Sequence, residues 1–143
     1  MQIYNLQFAT IIALQEQVAE VIIRRDIEVD LAMVETFHEF LRDHFTAPLA
    51  ILVNKKYAHT YTFEAQQELA NIPEISAMAI LTYSSLSQEF SRAMINQPRS
   101  TPWNAQLFES KELALQWIAD QLNLNESVPE STSTLRYYCP SSN

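Results

Sequence analysis

The chain has 143 residues, 48% of them hydrophobic and 18% charged, with a formal net charge of −8. That is apolar material for one domain burying about two thirds of its unfolded surface, and it excludes a disordered chain. The acidic balance leaves no basic stripe to displace counterions, which excludes nucleic-acid binding and docking on anionic membrane.

No apolar run approaches the roughly 20 residues that a membrane-spanning helix needs. The opening residues, Met1-Gln2-Ile3-Tyr4-Asn5, lack the basic start and apolar core of a signal peptide. Cys139 is the single cysteine, so no internal disulfide forms. These features point to a soluble, cytoplasmic protein. Glycine is absent altogether, which excludes phosphate-cradling loops that need backbone without Cβ. Turns requiring positive φ then fall to asparagine or aspartate, and Asn54, Asn71, Asn96, Asn104 and Asn123 stand at suitable places.

Ile3, Leu6 and Phe8, then Ile11, Ile12 and Leu14, form an extended-looking apolar pattern over residues 3–14. Gln15-Glu16-Gln17 breaks it, and a Val- and Ile-rich run resumes over 18–24, so an antiparallel hairpin is predicted. Asp30 caps a helix whose Met33, Val34, Phe37, Leu41 and Phe45 recur on one face for about four turns. Pro48 prevents that helix from continuing.

Leu49-Ala50-Ile51-Leu52-Val53 is an uninterrupted apolar strand, as expected where both faces of a sheet are covered. After a polar and aromatic loop, Thr62 caps a short helix expected to reach Ile72, and Pro73 ends it. Ala77-Met78-Ala79-Ile80-Leu81 is a second such strand. Leu86, Phe90, Ala93 and Met94 follow at helical spacing, and Pro98 and Pro102 stop that helix. Residues 105–108 resume a strand. Ser110 caps a last helix bearing Leu113, Ala114, Trp117, Ile118 and Leu122. From Asn123 the chain turns Ser/Thr-rich, so residues 1–122 are assigned to the domain and 123–143 to a tail. The order β-β-α-β-α-β-α-β-α predicts a single-domain α/β fold whose mixed sheet is mostly parallel after the first hairpin.

Three stretches carry a resemblance. They are the strand and Ser-rich helix start Met78-Ala79-Ile80-Leu81-Thr82-Tyr83-Ser84-Ser85-Leu86-Ser87, the connection Gln97-Pro98-Arg99-Ser100-Thr101-Pro102-Trp103, and Leu107-Phe108-Glu109-Ser110 leading to Glu112-Leu113-Ala114-Leu115-Gln116-Trp117-Ile118. With the element order, they make residues 8–122 resemble the STAS/SEC14-like group of the SpoIIAA-like superfamily, which includes bacterial anti-sigma-factor antagonists. The resemblance implies a SpoIIAA-like mixed sheet. It further implies a non-enzymatic interaction domain, with apolar small-molecule or lipid binding of SEC14-like type as one alternative. A Ser/Thr phospho-switch is the other. The antagonists' Asp-Ser-Ser-Gly-like motif is replaced by His59-Thr60-Tyr61-Thr62-Phe63-Glu64-Ala65, where Thr62 matches the hydroxyl position only loosely.

Candidate sites follow. Thr62 and Thr60 are phospho-acceptor candidates, against the simpler reading that Thr62 is a cap. His38, His44 and His59 lack the tight spacing of a metal site, and no metal or cofactor is expected. Ser84, Ser85 and Ser87 lack the glycines of a nucleophile elbow, and no catalytic residue is assigned. Trp103, Met94, Phe90 and Met33 are candidates to line an apolar pocket, although core packing explains the methionines and the phenylalanine. Pro98, Arg99, Pro102 and Trp103, with Tyr137 and Tyr138 in the tail, are the expected contact surface for a protein partner or for a second copy in a homodimer.

Overall fold

A computed structural model of the chain describes residues 1–124 together with 128 and 129. The expected hairpin is present, but its first arm is two strands, β1 (Gln2–Asn5) and β2 (Ala9–Gln15). They pair antiparallel with each other, because the chain reverses over Leu6-Gln7-Phe8 and Leu6 N donates to Ala9 O at 2.8 Å. β3 (Val18–Ile23) returns antiparallel along β2.

From there the sheet is parallel. β5 (Leu49–Asn54) lies between β3 and β7 (Ile75–Leu81), and β8 (Ala105–Phe108) closes the order β1-β2-β3-β5-β7-β8. The two apolar runs therefore sit side by side, Ile51 opposite Met78 and Leu52 opposite Ala79. A second, two-stranded parallel sheet joins β4 (Glu28–Val29) to β6 (Thr60–Tyr61) beyond the carboxyl ends of β3 and β5.

Four helices cover the main sheet: α1 (Leu31–His44), α2 (Phe63–Glu68), α3 (Ser85–Ile95) and α4 (Lys111–Gln121). Period-2 alternation splits each central strand between two cores. Ile51, Val53, Met78 and Ile80 pack with Val34, Phe37 and Leu41 of α1, Ala65 of α2 and Met94 of α3. Ala50, Leu52, Ala77, Ala79 and Leu81 pack under Ala114, Leu115, Ile118 and Ala119 of α4. Leu124 and Val128 also pack against that second core.

Asp30, Thr62, Ser84 and Ser110 each accept a hydrogen bond from an amide of their helix's first turn. Three expectations are corrected. The helix after Thr62 ends at Glu68, well before Ile72, because Ala70 turns to φ 61° and its amide donates to His38 Nε2. Positive φ falls on Asp26, Ala70 and Asn123, so of the five asparagines only Asn123 is used this way. Two helix faces are rotated from the expected ones: α3 buries Ser91 and Met94 and leaves Leu86 77% exposed, and α4 buries Leu115 while Leu113 is 55% exposed. An apolar stripe shows which residues share a face, not whether anything covers it. No helix among the described residues is long and apolar enough to cross a membrane.

Candidate functional site

Because β3, β5, β7 and β8 run parallel, their carboxyl ends share one edge of the sheet, the edge where ligands meet open α/β sheets. The residues after β5 and β7 shape it. Lys55 is the first residue beyond β5, and its amide donates to Leu81 O, which ties it to the end of β7. Its ammonium lies 5.4 Å from the ring centroid of Tyr61 and 5.1 Å from that of Phe90. The two rings stack on each other at 6.4 Å. No carboxylate pairs with Lys55 among the described residues. Burial pulls its ammonium down to about 8.

Tyr61 Oη donates to His59 Nε2 at 3.0 Å, and His59 Nδ1–H donates to the Tyr57 carbonyl at 2.9 Å. Burial lowers the His59 imidazole and raises the Tyr61 phenol, so both are neutral near pH 7. Ser91 Oγ on α3 is buried beside this group and has no hydrogen-bond partner among the described residues.

A groove of about 570 Å³ runs between α1 and α2, lined by Leu31, Val34, Phe63 and Ile72 and rimmed by Glu35, Glu64 and Glu68. Phe63 projects from it at 66% exposure. His38 forms part of its wall. Burial, helped by Arg42, lowers that imidazole to about 4, and its Nε2 accepts from Ala70 N at 3.0 Å. No lysine or arginine lines this groove among the described residues.

The connection expected to be a contact surface is folded inward at its aromatic residue. Trp103 Nε1 donates to Leu69 O at 2.9 Å. The Arg99 guanidinium stacks 3.7 Å above the indole ring and donates to the carbonyls of Gln66 and Met94. Pro98 and Pro102 remain exposed. A cleft of about 330 Å³ opens beside this clasp, between Trp103 and Ile72, Ile75 and Met78. The other pocket candidates do not meet there: Met33 lines an apolar space of only about 20 Å³, and Met94 one of about 10 Å³.

Thr62 Oγ1 accepts from Ala65 N at 3.2 Å as the cap of α2, while Thr60 is exposed in β6. Tyr137 and Tyr138 lie outside the described residues. His44 stacks on Phe40 at 4.1 Å, away from both His38 and His59. No group of three or more metal-ligating side chains occurs among the described residues.

Two functional-looking groups escaped the sequence reading. Lys55 follows an apolar run with nothing in its spacing to mark it. Glu20 did carry a signal, an acid inside the apolar run 18–23. It is 1% exposed on the α4 side of β3, where Oε2 accepts from Asn54 Nδ2 at 2.9 Å and pairs with Lys111 Nζ at 3.1 Å. Tyr83 Oη donates to Asn54 Oδ1 at 2.8 Å and extends the network to the surface.

A mixed six-stranded sheet with an antiparallel hairpin at one side, parallel strands beyond and helices on both faces defines a SpoIIAA-like α/β fold. A solved neighbour with that fold is an uncharacterized protein of the DUF3478 family from Shewanella loihica PV-4. The two share 17% identity over 82% of this chain and 90% of that one, with a TM-score of 0.51, which shows likeness of fold. No protein-family model matches the chain. No curated protein matches it.

Proposed function

We propose that the protein is a non-enzymatic interaction domain of STAS-like type whose docking site is the groove between α1 and α2. The observation carrying this is the groove's make-up: an apolar strip of Leu31, Val34, Phe63 and Ile72, three glutamates beside it, no lysine or arginine in the lining among the described residues, and an exposed Phe63. Its volume of about 570 Å³ gives room for a few side chains of one partner element, small-molecule pockets running ~300–1,000 Å³. The occupant that matches is a basic amphipathic helix, apolar residues inward and lysines or arginines against the rim.

Two probe helices of the same leucine pattern, one with lysines and one with glutamates, test this by fluorescence anisotropy. The lysine probe binds, more weakly as salt rises, and Phe63→Ala or Glu35→Lys each weakens it about tenfold. Both residues are exposed, so the variants fold. Equal binding of the two probes, or none of either, rejects the groove.

The cleft beside Trp103 supports a second reading, a small apolar ligand, because its volume reaches the lower end of that range. Native mass spectrometry of protein purified from cells decides it through a retained mass. Thr62 is engaged as a helix cap, which weighs against a phospho-switch there. Self-association belongs to the interaction reading. The outer edges of β1 and β8 are the strand edges of the main sheet, and light scattering separates monomer from homodimer.

A further inference from the structure

α3 carries an apolar stripe open to solvent. Leu86 is 77% exposed, Phe90 39%, and Tyr83, just before the helix, 61%; Ala93 is exposed as well. At 100° per residue, Leu86, Phe90 and Ala93 fall within about 60° of one another. One exposed leucine is ordinary, whereas aligned apolar side chains make a contact surface. Phe90 packs on Tyr61 at 6.4 Å between ring centroids and under the Lys55 ammonium at 5.1 Å, which holds the ring while leaving part of it to solvent. The helix has two charged residues, Glu89 and Arg92, and both are exposed. Helical spacing puts them on one side of the stripe, the side away from buried Ser91 and Met94. Neither makes an ion pair among the described residues.

We propose that this stripe pairs two copies of the chain, α3 against α3, antiparallel about a two-fold axis at Phe90. An antiparallel copy reverses the residue order. Leu86 then meets the partner's Ala93 and Ala93 meets the partner's Leu86, a large side chain over a small one each time. Phe90 meets its own counterpart on the axis. Glu89 meets the partner's Arg92, and Arg92 meets the partner's Glu89, so both charges of α3 gain an opposite charge at the rim of the contact. A parallel copy would set acid on acid and base on base. An unrelated partner would have to present a base and an acid in this reversed order, which the chain's own helix already does. One helix face falls short of the roughly 800 Å² a side of a standard interface, so the pair is a transient, concentration-dependent one. The inference deepens the self-association part of the proposed reading, moving it from the strand edges to α3. It uses none of the α1–α2 groove, so probe binding there and mass in solution can fail independently.

A charge exchange tests it on the whole chain, read by sedimentation velocity from ~1 µM to ~1 mM protein. The wild type is expected to pass from monomer to dimer across that range. Glu89→Arg and Arg92→Glu, each alone, put like charges across the axis and weaken the dimer at least ~10-fold. An equal mixture of the two variants sets two bases of one chain against two acids of the other. It is expected to form a heterodimer at least ~10-fold tighter than either variant's homodimer. Both positions are exposed and unpaired among the described residues, so the variants fold. Leu86→Ser, at another exposed position, weakens the wild-type dimer several-fold and leaves the urea midpoint unchanged. A wild type monomeric at every concentration overturns the proposal. So does a dimer that persists in Glu89→Arg, which places the contact elsewhere, or a mixture that associates no better than its parts, which rules out the antiparallel register.

Discussion

His38 shows how one side chain determines where a helix stops. Its Nε2 takes the Ala70 amide, which would otherwise prolong α2, and the bond requires an unprotonated ring. Burial and the neighbouring Arg42 hold that ring to about 4 against 6.5 in the unfolded chain. Between those two values the unfolded state binds a proton that the folded state refuses, so stability falls as pH drops from about 6.5 to about 4. Above 6.5 the effect vanishes. After allowance for solvent at the rim of the site, the loss by pH 4 is about 2 kcal/mol. His38→Gln keeps an acceptor for Ala70 and removes the titration. Urea unfolding of the two proteins should therefore converge toward pH 4 if the wild type starts the more stable, the difference between them changing by that amount. A difference that is constant with pH would assign the slope to the carboxylates alone.

At the scale of elements, the clasp of Arg99 on Trp103 joins the connection before β8 to the end of α2. Trp103→Phe keeps most of the apolar contact but leaves the half-buried Leu69 carbonyl unbonded. The expected cost is about 1 kcal/mol in global unfolding. Hydrogen exchange should quicken at Ala70 and Asn71 more than in β5, which distinguishes a local clasp from a general loss of packing. Trp103 was legible in the sequence as an aromatic residue needing an explanation. Its partner was not, because a hydrogen bond to a carbonyl 34 positions away leaves no local pattern. β5 and β7 were legible because burial on both faces forces an unbroken apolar run. The division of β1 from β2 was not, since alternation continues across the reversal and no glycine marks it. β4 and β6 were invisible for another reason. Two-residue strands are too short to show a period, and their pairing is fixed by the ends of β3 and β5.

For the whole molecule, the two faces of the sheet are closed in different ways. Three helices cover one face, whereas α4 covers the other over the small side chains Ala50, Ala77 and Ala79. Glu20 lies on that second face, where no apolar contact answers its charge. It is tied to β5 through Asn54 and to α4 through Lys111, with Oε1 left without a partner among the described residues. The pair thus joins the antiparallel half of the sheet to the helix that follows its last parallel strand. Lys111 is 19% exposed, so its charge retains some water, while Glu20 has almost none. Lys111→Met should therefore destabilise by about 2–3 kcal/mol, chiefly by stranding a buried carboxylate and less by losing the attraction itself. Adding Glu20→Leu removes the stranded charge, and most of the loss should return. Chemical denaturation of the wild type, both single variants and the double variant closes the cycle. Equal losses that simply add would mean that the two groups do not act as a pair, and α4 would then be held by its apolar face alone.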